Sequence, residues 1–337
     1  MNSCDFKPLS SLRLRDIEIK KEPLYSIKFK EAGIQYSLFS IIKGSILKFL
    51  LIGGSIDIDT GKKGILELVK YIKVKSGKVP LAVNAVEIRS LSCNLKSKEA
   101  LLNARLSISL NLPSQEIAYL GFQINSMEAS GLQLKNALMR AGDIAEANSF
   151  SIEQIKYDKI EIDSLKGSPR LANGFLLIDD LSALFLKGEI RGNTAISLKP
   201  NAEYLLNLEF QDLDLETLAD NANLKEKAEL NGRLAGKIAL KGKGQAITVL
   251  SGDFTTLDPG GVLTIKDDRY LAGLARGSGQ SIDILVESFK NYNYNKGVMK
   301  LVLNRDNLTF DIALDGVSGK RNLNIVIHDF KLWREEQ

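Results

Sequence analysis

Few residues in this chain have a type and spacing that could do chemistry. Its only histidine is His328, directly followed by Asp329. An imidazole beside a carboxylate can serve as a general base, but it also needs a nucleophile or a substrate cleft, and neither is signalled nearby. His328 therefore reads as a solvated histidine of a terminal strand. Two cysteines, Cys4 and Cys93, lack a histidine partner in their sequence context. They make neither a disulfide framework, a metal site nor an activated thiol. No apolar stretch precedes Cys4 in this sequence, so a free thiol is expected there rather than a lipoprotein signal.

The acidic clusters give no stronger signal. Asp57-Ile58-Asp59 has the spacing of a carboxylate pair for a divalent cation, but on an alternating strand both acids project to the wet face. Asp179-Asp180 and Asp267-Asp268 read as turn residues. Glu161 and Asp163 share a strand face without the opposed groove that glycosidase chemistry requires. Neither Lys241-Gly242-Lys243-Gly244 nor the stretch Gly273 to Gly279 matches a phosphate-binding loop. The second precedes a predicted helix near Ser281 whose N-terminus could accept an anion, although a hairpin loop is the simpler reading. No catalytic residue, metal site or cofactor is expected.

Composition narrows the remaining classes. The chain is 44% hydrophobic and 26% charged, which fits a folded protein. Lys+Arg number 45 against 41 Asp+Glu, a net +4 spread along the chain, and aromatics are 7%. That argues against nucleic acid, which needs clustered cations and stacking aromatics. A weak attraction to anionic headgroups is compatible with it. The most apolar window, Ile41 to Ile52, is interrupted by Lys43 and Lys48. It falls short of the roughly 20 apolar residues of a spanning helix, and no signal peptide is visible.

What must position any site is β-structure. Alternation with period two runs through Leu12-Arg13-Leu14-Arg15-Asp16-Ile17-Glu18-Ile19 and through Leu106 to Leu112, and it returns in Tyr204 to Phe210, Leu308 to Leu314 and Leu323 to Ile327. Such strands put apolar side chains on one face and polar ones on the other. Asn173-Gly174, Arg191-Gly192-Asn193, Asp258-Pro259-Gly260-Gly261 and Asp315-Gly316 read as turns. Roughly eighteen strands result, at spacings near ~8–12 residues. Four short helices are expected, through Leu38 to Ile42 after Ser37, Ile65 to Ile72, Leu215 to Ala222 after Asp214, and Ile282 to Phe289 after Ser281. Few aromatics, with the one tryptophan, Trp333, in the terminal tail, argue against a compact sandwich.

The predicted fold class is therefore mainly β, an elongated, curved antiparallel sheet forming an open groove, with a few short helices. Residues 1–337 read as one continuous groove that, at ~4.8 Å per strand, would span very roughly 85 Å. Its apolar concave side is expected to carry Leu106, Ile108, Leu110, Tyr204, Leu206, Leu208, Phe210, Phe310, Ile312 and Leu314.

These strands also carry a family likeness. Within residues 1–60, Leu12 to Ile19, Ile34-Gln35-Tyr36-Ser37-Leu38-Phe39, Lys43-Gly44-Ser45-Ile46 and Gly54-Ser55-Ile56-Asp57-Ile58 resemble the opening strands of AsmA-like proteins. Within 226–331 the chain resembles the YdbH branch, whose domain carries the historical label "dicarboxylate transport". The matching pieces include Gly232-Arg233-Leu234-Ala235-Gly236-Lys237-Ile238, Gly252-Asp253-Phe254, Pro259-Gly260-Gly261-Val262 and Phe289 to Tyr294, continuing through Leu308 to Gly316 and Leu323 to Ile327.

The resemblance implies a periplasmic or envelope protein of a bacterium with two membranes, whose apolar concave face shields phospholipid acyl chains between inner and outer membranes. It implies partners in those membranes or among envelope proteins, and no enzymatic activity. Family members usually carry an N-terminal membrane anchor. This chain shows none, so it is expected to be a fragment, or a chain whose start lies further upstream, that is soluble or only peripherally membrane-bound. The alternative is an assembly factor of the envelope acting through an exposed strand edge or apolar face.

Overall fold

A computed structural model describes residues 3–21, 25–59, 82–97, 100–114, 116–142, 148–199, 202–226, 228–244, 246–266 and 291–330. The helices expected at Ile65–Ile72 and Ser281–Phe289, the Gly273–Gly279 stretch, Asp267-Asp268 and Trp333 lie outside the described residues. Within them the chain forms twenty strands and two short helices, so the mainly β reading holds. It divides into two compact units, residues 1–158 with 166–177, and residues 159–165 with 178–337.

In the first unit the strands follow the chain: β1 (Ser3–Lys7), β2 (Ser11–Lys21), β3 (Tyr25–Gln35), β4 (Ser45–Asp59), β5 (Ala82–Lys96), β6 (Ala100–Asn111), β7 (Glu116–Ala129), β8 (Leu132–Gly142) and β9 (Ser149–Tyr157). Each pairs with the next in the chain. All these pairs are antiparallel except β4 and β5, which run parallel. The expected antiparallel arrangement thus carries one parallel join. A parallel neighbour needs a crossover of a dozen or more residues, and the chain between Asp59 and Ala82 is long enough to make one. Helix α1 (Leu38–Ile42) lies between β3 and β4, capped by Ser37 as the sequence predicts.

β10 (Ile160–Ala172) and β11 (Phe175–Phe185) have residues in both units. Their connecting turn is Asn173-Gly174, with φ of 52° and 75°, the left-handed pair that a two-residue hairpin demands. Asp179-Asp180 lies inside β11 rather than at a turn. Asp180 takes a positive φ of 52° within the strand, a conformation aspartate tolerates better than most residues.

The second unit continues with β12 (Gly188–Ser197), β13 (Glu203–Asp214), helix α2 (Leu215–Asn221), β14 (Ala228–Asn231), β15 (Arg233–Lys243), β16 (Ala246–Thr256), β17 (Gly261–Ile265), β18 (Tyr292–Asn304), β19 (Asn307–Gly316) and β20 (Gly319–Ile327). The antiparallel order is β12-β13-β15-β16-β18-β19-β20. Helix α2 and β14 form one excursion from this order and β17 another. The two excursions meet, since β14 pairs with β17, and β17 also pairs with the start of β18.

Two expected turns are strand instead. Arg191-Gly192-Asn193 lies within β12, where Gly192 pairs with Leu208. The Asn207 carbonyl passes so close that a Cβ on Gly192 would meet it at 2.0 Å. That glycine serves close approach rather than reversal. β19 likewise runs through Asp315-Gly316, and the reversal falls at Val317-Ser318, closed by the Gly316–Gly319 pair.

Candidate functional site

The ladder registers show which side chains share a face, because residues directly opposite on paired strands project to the same side. In the first unit one such row reads Ile17, Phe29, Gly54, Leu91, Leu106, Phe122, Met139 and Phe150. Its neighbour reads Leu14, Ala32, Leu51, Ile88, Ile108, Leu120 and Ala141. A third reads Phe6, Leu12, Ile34, Phe49, Val86, Leu110 and Ile117. The expected Leu106, Ile108 and Leu110 thus sit at the crossing of β6 with three apolar rows of one face. All three are half-buried.

A phase change keeps that face apolar. Leu12 and Leu14 precede Ile17 and Ile19 on β2, with Asp16 at φ 51° between them. Gly53 on β4 and Ser90 on β5 take φ of 55° at the corresponding break. Each break shifts the alternation by one residue, and the polar or small residue there absorbs it. Regular alternation misses these residues. Their signal is the i, i+3 apolar spacing around Asp, Gly or Ser.

The second unit repeats the pattern. One row joins Ile190, Phe210, Gly236, Phe254, Met299, Ile312 and Leu323, and the adjacent row joins Gly192, Leu208, Ile238, Gly252, Leu301, Phe310 and Ile325. Leu206 pairs with Leu240, Tyr204 with Gly242, and Leu314 with Gly297. The expected positions in this unit therefore sit in paired apolar rows, but with different surroundings. Tyr204, Leu206, Leu208, Phe310 and Ile312 are half-buried, whereas Phe210 and Leu314 are 7% and 8% exposed. Phe210 is enclosed by Phe185 and Phe254, with ring centroids 6.4 and 5.8 Å away, and by Leu213 and Leu215.

Between the apolar rows runs a charged one. Arg191, Glu209, Lys237, Asp253, Lys300, Asp311 and Asn324 are successive partners across β12 to β20. Charges alternate along it, and Lys237 Nζ lies 2.6 Å from Glu209. In the first unit the corresponding polar ladder includes Asp57, Asn94 and Asn103, with Asn94 donating to Asp57 at 2.6 Å and Asn103 to Asn94 at 2.7 Å. Asp57 is thus engaged by amide donors. Among the described residues no cluster of acids, histidines or cysteines could hold a metal ion.

The two excursions of the second unit wall a cavity of about 340 Å³. Met299, Ile312, Leu314 and Leu323 supply the sheet side, while Leu215 and Leu218 of α2 face them. Asp214 caps α2, accepting from Thr217 N–H at 2.8 Å. Tyr294 closes the wall, its hydroxyl donating to the Asn231 carbonyl at 2.6 Å, and burial pushes that phenol up to about 12. Two larger hollows in the first unit are lined by charged and polar groups such as Lys20, Asp57, Lys96 and Arg105.

The remaining candidates behave as packing or surface groups. Burial, and then the Asp57 charge, push the Cys93 thiol up, the opposite of what a nucleophile needs. Cys4 is exposed. His328 sits in the turn after β20 rather than in the strand, with Nδ1 3.0 Å from Asn307 Oδ1. Glu161 and Asp163 lie on β10, and Lys241-Gly242-Lys243 on β15 beside a hairpin turn at Gly244.

The described strands are thus amphipathic, and the second unit carries an apolar cavity. The YdbH-like family model, described as intermembrane phospholipid transport protein YdbH, matches residues 94–327. The chain belongs to the YdbH-like family. The match covers the middle strands together with the C-terminal ones, and both rows through Phe210 and Phe310 fall within it. YdbH-like proteins are thereby the context for this site: intermembrane phospholipid transport. Comparison with the curated proteins and with the solved structures returned no match. No described helix is long and apolar enough to cross a membrane.

Proposed function

We propose that the apolar face of each unit holds phospholipid by its acyl chains, leaving the headgroup in water, and that lipid passes along these rows without being chemically changed. The setting is the envelope of a two-membrane bacterium, with the inner and outer membranes, or proteins embedded in them, as donor and acceptor. The observation that carries this reading is the contrast between faces. Apolar rows such as Leu91-Leu106-Phe122 gather on one face of the first unit, and in the second unit the row between the apolar ones alternates charge. Uncovered hydrocarbon surface costs free energy in water, and each acyl methylene laid on it returns about 0.8 kcal/mol. Transport of this kind needs no general base, metal or cofactor.

The cavity beside α2 fits the same role. Its lining residues are almost wholly hydrocarbon, and its volume lies near the lower end of the ~300–1,000 Å³ typical of small-molecule sites. A chain segment lying along the Phe254-Met299-Ile312 row can enter it.

Site-specific photo-crosslinking tests the face assignment. A photoreactive side chain at Leu106 or Phe310 is expected to capture phospholipid, and one at Ser107 or Asp311 is not. Equal capture from both faces, or capture of protein alone at Leu106 and Phe310, would contradict the reading; the latter would favour an assembly factor.

A further inference from the structure

One end of the first unit exposes apolar side chains beyond those of the sheet face. Ser40 anchors α1: it is buried and forms a reciprocal capping box with Ser37. This leaves Leu38, Phe39, Ile41 and Ile42 outward, at 56%, 67%, 45% and 82% exposed. Tyr36, just before the helix, donates its hydroxyl to the Lys7 carbonyl at 3.1 Å, and its N–H bonds the Ser10 carbonyl at 3.0 Å. Those bonds hold the β1–β2 turn beside α1, and that turn presents Leu9 at 64% exposed. Isolated surface leucines are ordinary, but this many bulky groups on two tethered neighbouring segments form a contiguous patch.

Within the two segments that form the patch the charge has one sign. No Asp or Glu occurs from Phe6 to Arg13 or from Tyr36 to Lys48, whereas Lys7 and Lys43 border the apolar groups. Lys43 Nζ lies 4.3 Å from the centre of the Phe39 ring. An apolar tip rimmed by lysines complements an anionic bilayer surface, where rings and aliphatic groups sink among the acyl ends and ammonium groups remain with phosphates. The row Phe6-Leu12-Ile34-Phe49 leads directly away from this end into the apolar face. A chain leaving a bilayer there would meet hydrocarbon at once.

We propose that the α1 end of the first unit is a membrane-entry tip, with Leu9, Phe39 and Ile42 inserting into the interface of an anionic phospholipid bilayer and Lys7 and Lys43 engaging its headgroups. The proposal draws on the family's traffic with membranes, but not on which sheet residues hold cargo.

The test is co-sedimentation of the whole chain with vesicles of phosphatidylglycerol and phosphatidylethanolamine, beside vesicles of phosphatidylcholine alone. The wild-type chain is expected to bind the anionic vesicles, less so as salt rises. Phe39→Asp with Ile42→Asp should lower partitioning at least roughly tenfold, with melting and co-purified lipid unchanged. Lys43→Glu should weaken binding to the anionic vesicles only. Binding by the double variant equal to wild type would overturn the proposal, as would failure of wild type to bind. A wild-type dimer that becomes monomeric in the double variant, without vesicle binding, would assign the patch to a second copy and also overturn it. Because co-purified lipid is measured separately, loss of tip binding is distinguishable from loss of the cargo role.

Discussion

The Phe254 ring occupies the space directly above Gly236, its partner across β15 and β16: a Cβ on Gly236 would come within 2.2 Å of ring atom Cδ1. The absent side chain lets Phe254 lie flat enough to reach Phe210, 5.8 Å away between centroids. Gly236→Ala is expected to push the ring off this position and destabilise the protein by about 1–3 kcal/mol, the usual range for overpacking. Urea unfolding checks this. A variant as stable as wild type would show that the ring has room to move.

Helix α2 depends on its cap. Burial raises the Asp214 carboxyl, but the hydrogen bonds from Thr217 and the Lys187 ammonium outweigh it and hold the group below the usual range. A carboxylate with a depressed folded value contributes stability above its unfolded value of about 3.9, and loses it as pH falls through the folded value. Asp214→Ala should therefore cost about 1 kcal/mol at neutral pH. The gap to wild type should shrink below about pH 4. Denaturant titrations at pH 7 and pH 3 read both expectations.

Tyr294 gives the opposite pH dependence. Its phenol is pushed up to about 12 by burial, so the fold favours the neutral form. That preference is fully present below the unfolded value of about 10 and is lost progressively between about 10 and 12. Tyr294→Phe removes the donor to the Asn231 carbonyl and should cost about 1 kcal/mol at neutral pH. Above about pH 10 its stability should fall less steeply than that of wild type, measured by unfolding across alkaline buffers.

Much of this fold was legible because its strands are amphipathic. Alternation through Leu106-Ile108-Leu110 and Phe310-Ile312-Leu314 located real strands, and Ser37 and Asp214 marked both described helices. What local pattern does not encode was missed. The parallel β4–β5 pair depends on where a long connection returns. Glycine at Gly192 is ambiguous between a turn and a strand crossed closely by its neighbour. The breaks at Asp16, Gly53 and Ser90 disturb the period of two while preserving the face. The cavity was invisible for a related reason: Leu215, Leu263 and Ile312 are distant in sequence, and only the meeting of the β14 and β17 excursions brings them together.

Native mass spectrometry of the gently purified chain tests the lipid-holding role most directly, when run on wild type and on Ile312→Asp with a thermal melt of each. Ile312 is half-buried and lines the cavity, so a carboxylate there resists burial beneath acyl chains while retaining access to water in the empty protein. The expected result is phospholipid adducts on wild type and their loss from Ile312→Asp, with melting largely kept. At buried Leu314 the same change should cost several kcal/mol and mark the contrast. Wild-type protein free of lipid, or a folded Ile312→Asp that loads lipid as fully as wild type, would contradict the account.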